Sequence, residues 1–379
     1  MEITVVIDYD GFCELRERWD GLLSEASYDS VFLTHEWFSA FIQGFDLMRK
    51  LNIVLIHEGT ELIGILPLYR MDEKRGWVRV CILKSITNVH TPKYSFIMKK
   101  GVEKRLPEAL ILLRQVVPWD VIQADYVSHS SATHRCLGHV NSVTGWTVKV
   151  LPLMQSPFIT LSDDWETYYA NRFSRSLRKN IEYSIRKAQK NHEVVYEVIV
   201  GDRLDDKDLK DAFVIEDSGW KGDNRSSILK HESFRKFYSL LAREANNRGW
   251  FSLRFLAFNG KRVAVDYCLT YRGTDNLLKT GYDESCKEYA PGHILRKYAI
   301  HDAFSQGCDV YDLLGAADDY KMKMTNEVDT MYRMYFFNHR IKSRFMKFIL
   351  FGAKETAEKM GVKSILKHIF GTPNVSMRN

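Results

Sequence analysis

Two stretches of the chain share one alternation of apolar and polar positions. LNIVLIHEGTELIGILPLYR, starting at Leu51, runs as an alternating apolar segment, a turn at Gly59, a second apolar segment and a Tyr-Arg ending. FSLRFLAFNGKRVAVDYCLTYR, starting at Phe251, repeats that layout with Gly260 at the turn. A period of two broken by a glycine turn predicts a β-hairpin in each case. Each hairpin follows a helical, aromatic-rich segment, HEWFSAFIQGF from His35 and HESFRKFYSLLAREANNRG from His231. Each also leads into further strands and a helix: VRVCILKSI, the helical RLPEALILLRQ and DVIQADYV in the first half; NLLKTGYD, a helix opening at Pro291-Gly292 and CDVYDLLG in the second. The matching order predicts an internal duplication, with chance likeness of two hairpins as the competing reading.

At 379 residues the chain is long for one core, and domains of roughly 150–200 residues are the norm. A Pro-containing extended piece near Ser156 divides the halves, giving an N-terminal domain over 1–155, a C-terminal domain over 156–337 and a basic helical tail over 338–379. The run RFSRSLRKNIEYSIRKAQK repeats apolar Phe173, Leu177, Ile181 and Ile185 every four residues, which predicts an amphipathic helix with a solvated basic face. The tail sets Phe345, Phe348, Ile349 and Phe351 among Arg340, Lys342, Arg344 and Lys347. Such a helix either lies on an anionic membrane surface or folds its apolar stripe onto the body of the protein, the reading preferred here.

Composition narrows the function classes. A hydrophobic content of 45% with 13% aromatics supports a globular core. The net charge of +6 gives no argument for DNA and suits an anionic ligand equally well. Six scattered cysteines, none in a paired spacing, suggest neither zinc nor a disulfide framework and point to a reducing compartment. His129, His134 and His139 recur every five residues without a carboxylate among them, a poor metal pattern, so no metal is expected. The acidic start MEITVVIDYDGF lacks a signal-peptide pattern, and no segment approaches the roughly 20 apolar residues of a membrane span. The expected location is the cytoplasm, with peripheral contact at the inner membrane face through the tail left open.

The chemistry concentrates in EYAPGHILRKYAIHDAFSQG, Glu288 to Gly307. A Pro-Gly pair opens a helix whose first turn carries no acid, and a helix N-terminus presents unpaired N–H groups to an anion. KEYAPG can be laid on the R/Q-x-x-G-x-G/A loop of the GNAT acyltransferases, with Lys287 in the basic place, Ala290 in the first small place and Gly292 in the last. Pro291 departs from that pattern because it has no N–H to give. Three linked stretches, EDSGWKGDNRSSI from Glu216, LLKTGYDESCKEYAPGHIL from Leu277 and YDLLGAADDYKMKMT from Tyr311, resemble in order and spacing the BioF2-like, cellulose-biosynthesis-type acetyltransferases. That family is similar in turn to the Fem peptidyltransferases.

The resemblance implies an α/β fold with a mixed sheet, made of two tandem GNAT-like domains of which the first is degenerate. It implies acetyl-CoA or another acyl-CoA as co-substrate, its pyrophosphate over the N–H groups of Gly292, His293, Ile294 and Leu295. The pantetheine arm would lie in a slot where NLLKTGYD splays from CDVYDLLG. The acceptor would be a sugar or other small cell-envelope or exopolysaccharide precursor. Candidate bases are Glu216, which opens the first motif; Asp266, a carboxylate interrupting the apolar strand VAVDYCL unless the alternation turns it outward; and Asp283, which ends the strand before the loop. Tyr320 is placed to protonate the departing thiolate. Trp220 and Lys221 would wall the acceptor site, and Lys279 and Lys321 would meet phosphate or an acidic substrate. Two alternatives stand beside this reading: a Fem-like transferase drawing on aminoacyl-tRNA, and a non-catalytic binding protein of the same fold.

Overall fold

Gly59 and Gly260 sit at φ +59° and +78°, left-handed conformations that tolerate no β-carbon cheaply, and they close the two hairpins as the alternation requires. This computed structural model describes residues 1–75, 77–162, 164–218 and 227–352. In chain order the strands are β1 (Glu2–Val6), β2 (Leu51–Glu58), β3 (Glu61–Arg75), β4 (Val78–Ser85), β5 (Ile97–Met98), β6 (Val121–Ser128), β7 (Thr147–Thr160), β8 (Val194–Ile199), β9 (Phe251–Phe258), β10 (Lys261–Tyr271), β11 (Thr274–Tyr282), β12 (Val310–Asp312) and β13 (Glu327–Phe337). The described helices are α1 (Tyr9–Glu14), α2 (Arg16–Ser24), α3 (His35–Gly44), α4 (Leu106–Val116), α5 (Ala132–Arg135), α6 (Leu137–Thr144), α7 (Trp165–Arg172), α8 (Arg175–Asn191), α9 (Asp206–Asp217), α10 (Glu232–Asn247), α11 (Pro291–Ser305) and α12 (Ile341–Lys347).

All strands join one sheet in the order β1-β2-β3-β4-β6-β13-β7-β12-β11-β10-β9-β8, with β5 beside β3. The two halves repeat a single plan. In each, three antiparallel strands are followed by a parallel pair, β4 with β6 and β11 with β12. The halves then exchange their long strands. β7 follows β6 in sequence yet pairs with β12, whereas β13 follows β12 and pairs with β6. β7 and β13 run antiparallel to each other through the centre, from Glu327 opposite Phe158 to Phe337 opposite Thr147. Ser156 therefore lies within a central strand, opposite Asp329. The mixed α/β sheet built from two repeated halves is the fold class that the sequence predicts.

The aromatic-rich helices that precede the hairpins meet across the halves. A β-carbon at Gly44 of α3 would fall 2.8 Å from Cα of Phe237 on α10, so the missing side chain lets the two backbones touch. Trp37 and Phe41 then pack edge-on against the Phe237 ring, at centroid distances of 5.3 and 5.6 Å. A second apolar layer, containing Ile181, Ile294, Leu295, Tyr311 and Met324, holds α8 and α11 on the opposite face of the second half.

The parallel pair is treated differently in each half. β4 and β6 share only the register Ile82–Lys84 opposite Val121–Gln123, and beyond it the chain fills the gap itself. Tyr94 donates its N–H to the Tyr126 carbonyl at 2.8 Å and accepts from Ser128 N–H at 3.4 Å, acting as an inserted strand residue. The neighbouring Lys93 reaches across to Asp312 of β12, Nζ to Oδ2 at 2.5 Å. The first half's slot is thus occupied by its own backbone, while the second half's remains open.

Candidate functional site

β11 and β12 pair only from Thr274–Asn276 opposite Val310–Asp312. Past that point they diverge, Leu314 adopting φ +48° and Gly315 φ +63°, and a cleft of about 670 Å³ opens between Leu277–Tyr282 and Leu313–Ala316. This is the size range of small-molecule and cofactor sites. Helix α11 points its N-terminus into the cleft, and Glu216, Lys279, Lys287, Ala290, Gly292, His293, Tyr320 and Lys321 line it together. Trp220 and Lys221 lie outside the described residues.

The helix opening is built around a strained alanine. Ala290 is the N-cap of α11 at φ +47° and ψ +53°, a left-handed conformation that costs a non-glycine residue about 1–2 kcal/mol. Pro291 follows at the first helical position, and the first turn contains no acid. The Ala290 carbonyl accepts from His293 N–H at 3.0 Å and from Ile294 N–H at 3.3 Å. Among the described residues, the Gly292 N–H has no backbone acceptor. The Ile294 and Leu295 side chains are fully buried beneath the helix. The anion-binding capacity of this turn accordingly rests on the Gly292 N–H, the helix dipole and the exposed Lys287 beside it.

Glu216 reaches the cleft from the last turn of α9. It is 3% exposed, and its Oε2 accepts from Ile228 N–H at 2.9 Å. Gly281 makes this placement possible, because a β-carbon there would fall 2.6 Å from Cα of Glu216. Lys279, two residues earlier on β11, sets its ammonium 5.3 Å over the Tyr238 ring.

On the other wall, Tyr320 stacks its edge toward His293, ring centroids 6.5 Å apart. Loss of solvent around the hydroxyl pushes the Tyr320 phenol up to about 12, although the residue as a whole is 37% exposed. Burial, with help from Arg296 and Lys323, holds the His293 imidazole below its ordinary value, so it is neutral at pH 7. Lys321 donates to the carbonyls of Leu314 at 2.6 Å and Ala316 at 3.1 Å, fastening the loop that forms the far lip. A smaller recess of about 200 Å³ continues past Ala290, His293 and Tyr320 to Ser176, Asn180 and Ser184 of α8.

Asp266 sits behind the cleft. β10 is covered on both faces, turning Val265, Tyr267 and Leu269 to one layer and Ala264 and Cys268 to the other, so no outward side exists for the carboxylate. Asp266 instead forms a bidentate pair with Arg296 of α11, Oδ2 to Nη1 at 2.6 Å and Oδ1 to Nη2 at 2.8 Å. The guanidinium also donates to the Tyr311 hydroxyl at 2.7 Å and to Thr280 Oγ1 at 3.1 Å. With both oxygens engaged, this carboxylate anchors the helix to the sheet. Asp283 caps the turn after β11, accepting from Ser285 N–H at 2.9 Å and from Lys261 at 2.8 Å. The Lys261 and Ser285 bonds hold its carboxyl below the usual range, which makes it a weak base.

Sequence reasoning missed Arg296, although it stands four residues after Gly292 and so on the same helical face. It also missed the part of Gly281, whose close contact is with a helix more than sixty residues away in sequence. The three histidines without a metal pattern resolve in part into a ring contact, His129 and His134 lying 4.5 Å apart beside Tyr332.

Comparisons with known proteins agree with this architecture. Residues 175–322 match the family model of an acetyltransferase (GNAT) domain. The crystal structure of FemX superimposes with a TM-score of 0.61 at 10% identity, covering 92% of this chain and 100% of that one. The C-terminal domain of a putative lysylphosphatidylglycerol synthetase from Agrobacterium fabrum gives a TM-score of 0.54 at 10% identity, covering 94% and 97%. A conserved protein of unknown function from Bacteroides thetaiotaomicron gives 0.53 at 11% identity, covering 89% and 100%. A search among curated proteins gives no significant match. Residues 175–322, which hold the splayed strands and the open helix, are similar to a GNAT acetyltransferase domain, and the fold of the chain is similar to that of FemX.

Proposed function

We propose that the protein is an acyltransferase that takes its acyl group from a coenzyme A thioester. The acceptor is an amine or hydroxyl of a sugar or other small cell-envelope or exopolysaccharide precursor. The observation that carries this reading is the open slot between β11 and β12 ending at the N-terminus of α11, set against the same slot in the first half, which Tyr94 fills. The acyl-CoA supplies an activated carbonyl and a thiolate leaving group. Lys287, the Gly292 N–H and the α11 dipole suit its phosphates, and the apolar walls Leu277, Leu278 and Leu313 suit its extended arm.

Transfer within a ternary complex requires no nucleophile of the protein. Glu216 takes the proton from the acceptor heteroatom as it attacks the thioester carbon. Tyr320, protonated throughout the neutral range, hydrogen-bonds to the departing sulfur and stabilises the charge that develops there. Release of free thiol from acetyl-CoA in the presence of a panel of amino sugars and sugar alcohols tests the assignment. Glu216→Gln and Tyr320→Phe should each lower turnover by about 10²–10⁴ while acetyl-CoA affinity is kept. Unchanged turnover in both variants refutes these roles.

A second reading, a Fem-like transferase using charged tRNA, draws on two features. Ala290 and Pro291 leave few N–H groups for a pyrophosphate, and α8 beside the recess carries Arg175, Arg178, Lys179, Arg186, Lys187 and Lys190. Strong, salt-dependent tRNA binding together with no acyl-CoA binding would favour it.

A further inference from the structure

The start of the C-terminal segment packs in an unusual sense. Ser343 and Met346 of α12 are buried against β4, β6 and β13, and Phe351 stacks edge-on to Tyr335 and Phe337. The opposite side does not become polar. Ile341 and Phe345 of α12 and Phe348, which opens the π-helical turn Phe348–Gly352 directly after it, are spaced i, i+4 and i+7 and are 84%, 37% and 63% exposed. Leu350 adds a further 39% exposed side chain. Single exposed apolar residues are ordinary, but a helical stripe of three is not.

The charge around this stripe has one sign. From Arg340 to Gly352 the chain holds Arg340, Lys342, Arg344 and Lys347 and no acid. A cavity of about 370 Å³ at the stripe's start is lined by Arg70, Arg79, Arg340 and Lys342. Its two acids are already engaged, Asp72 by Arg70 at 3.1 Å and Asp120 by the Cys81 N–H at 2.9 Å. Lys342 donates to the Arg79 carbonyl at 3.0 Å, which ties α12 to the β3–β4 hairpin. Two residues from Arg79, Trp77 stands 99% exposed at the hairpin tip.

We propose that this face, made by α12 and the tip of the β3–β4 hairpin, docks the protein on the surface of an anionic phospholipid bilayer. Ile341, Phe345, Phe348 and Trp77 enter the headgroup–acyl boundary, and Arg79, Arg340, Lys342 and Arg344 meet lipid phosphates. The combination of an apolar helical stripe, flanking cations and a peripheral tryptophan is what interfacial binding requires. A charged protein partner would not need the tryptophan and phenylalanines exposed together, and a neutral membrane would not need the cations. The inference is independent of the acyl-transfer reading.

The test is co-sedimentation of the full chain with vesicles of phosphatidylcholine alone and with about one third phosphatidylglycerol. The expected result is binding to the anionic vesicles, at least tenfold weaker to neutral ones, and reduced by raising salt from low to physiological ionic strength and above. Phe345→Ser/Phe348→Ser and Arg340→Glu/Arg344→Glu should each lower anionic binding at least tenfold, with unchanged far-ultraviolet circular dichroism and thermal midpoint. Equal binding to both vesicle types, no binding at all, or full binding by both double variants would overturn the proposal. So would conversion of a dimer to a monomer by the Phe variants without any vesicle binding, which would make the stripe an interface between copies.

Discussion

Gly281→Ala is the sharpest probe of how the cleft is assembled. The β-carbon would fall 2.6 Å from Cα of Glu216, 3.0 Å from its nitrogen and 3.1 Å from the Ile215 carbonyl oxygen, all backbone atoms with no rotamer to change. Carbon atoms rest at about 3.5–4.0 Å, so the end of α9 must retreat from β11 by roughly 1 Å. Overpacking of this kind costs about 1–3 kcal/mol, and moving a reacting group by 1 Å costs about 10² in rate. Gly292→Ala supplies the control within the same cleft. Its β-carbon would meet only Tyr282 Cδ1, at an ordinary 3.5 Å, so stability should stay within about 0.5 kcal/mol. Urea denaturation and thiol-release kinetics on the two variants read both effects. If Gly281→Ala is as stable and as active as the parent, or if Gly292→Ala loses as much stability, the seating of Glu216 described above is wrong.

Three further outcomes follow from the same geometry. Ala290→Gly removes the left-handed strain at the mouth of α11 and should stabilise the protein by about 0.5–1 kcal/mol despite the more flexible unfolded chain, as read by the denaturation midpoint. Asp266→Asn leaves the buried Arg296 charge without its carboxylate and should cost about 3–5 kcal/mol, visible as a large fall in thermal midpoint. Because burial holds His293 below its usual value in the folded state, its contribution is present above the unfolded value near 6.5 and is lost as pH falls below it; stability should drop as the pH is lowered through about 6.5, and His293→Gln should flatten that slope.

What the sequence revealed was what local physics decides. The period-two runs around Gly59 and Gly260 are β2-β3 and β9-β10, and the helix opening at Pro291 begins there with no acid in its first turn. The splay between NLLKTGYD and CDVYDLLG is present as expected, because a pair bonded only through Asp312 is followed at once by left-handed Leu314 and Gly315. Partners distant along the chain were illegible. Nothing in the pattern of β7 or β13 tells that each completes the other half's sheet, since both read as ordinary strands. The plugging of the first slot by Tyr94 rests on two backbone bonds, which leave no mark on side-chain periodicity. Asp266 stood out as a charge in an apolar strand, but its meaning depends on Arg296, thirty residues on, and on a sheet covered on both faces. The tail was expected to fold its apolar stripe onto the body; Met346 and Phe351 do so, while Ile341, Phe345 and Phe348 face outward.

The most direct test of the central claim is calorimetric titration of the full chain with acetyl-CoA, repeated on Gly292→Trp. Micromolar binding that the tryptophan abolishes, with the fold intact by circular dichroism, is the predicted result. Absence of binding by any acyl-CoA up to millimolar concentration, or binding that Gly292→Trp leaves unchanged, would contradict the assignment of the β11–β12 cleft as the donor site.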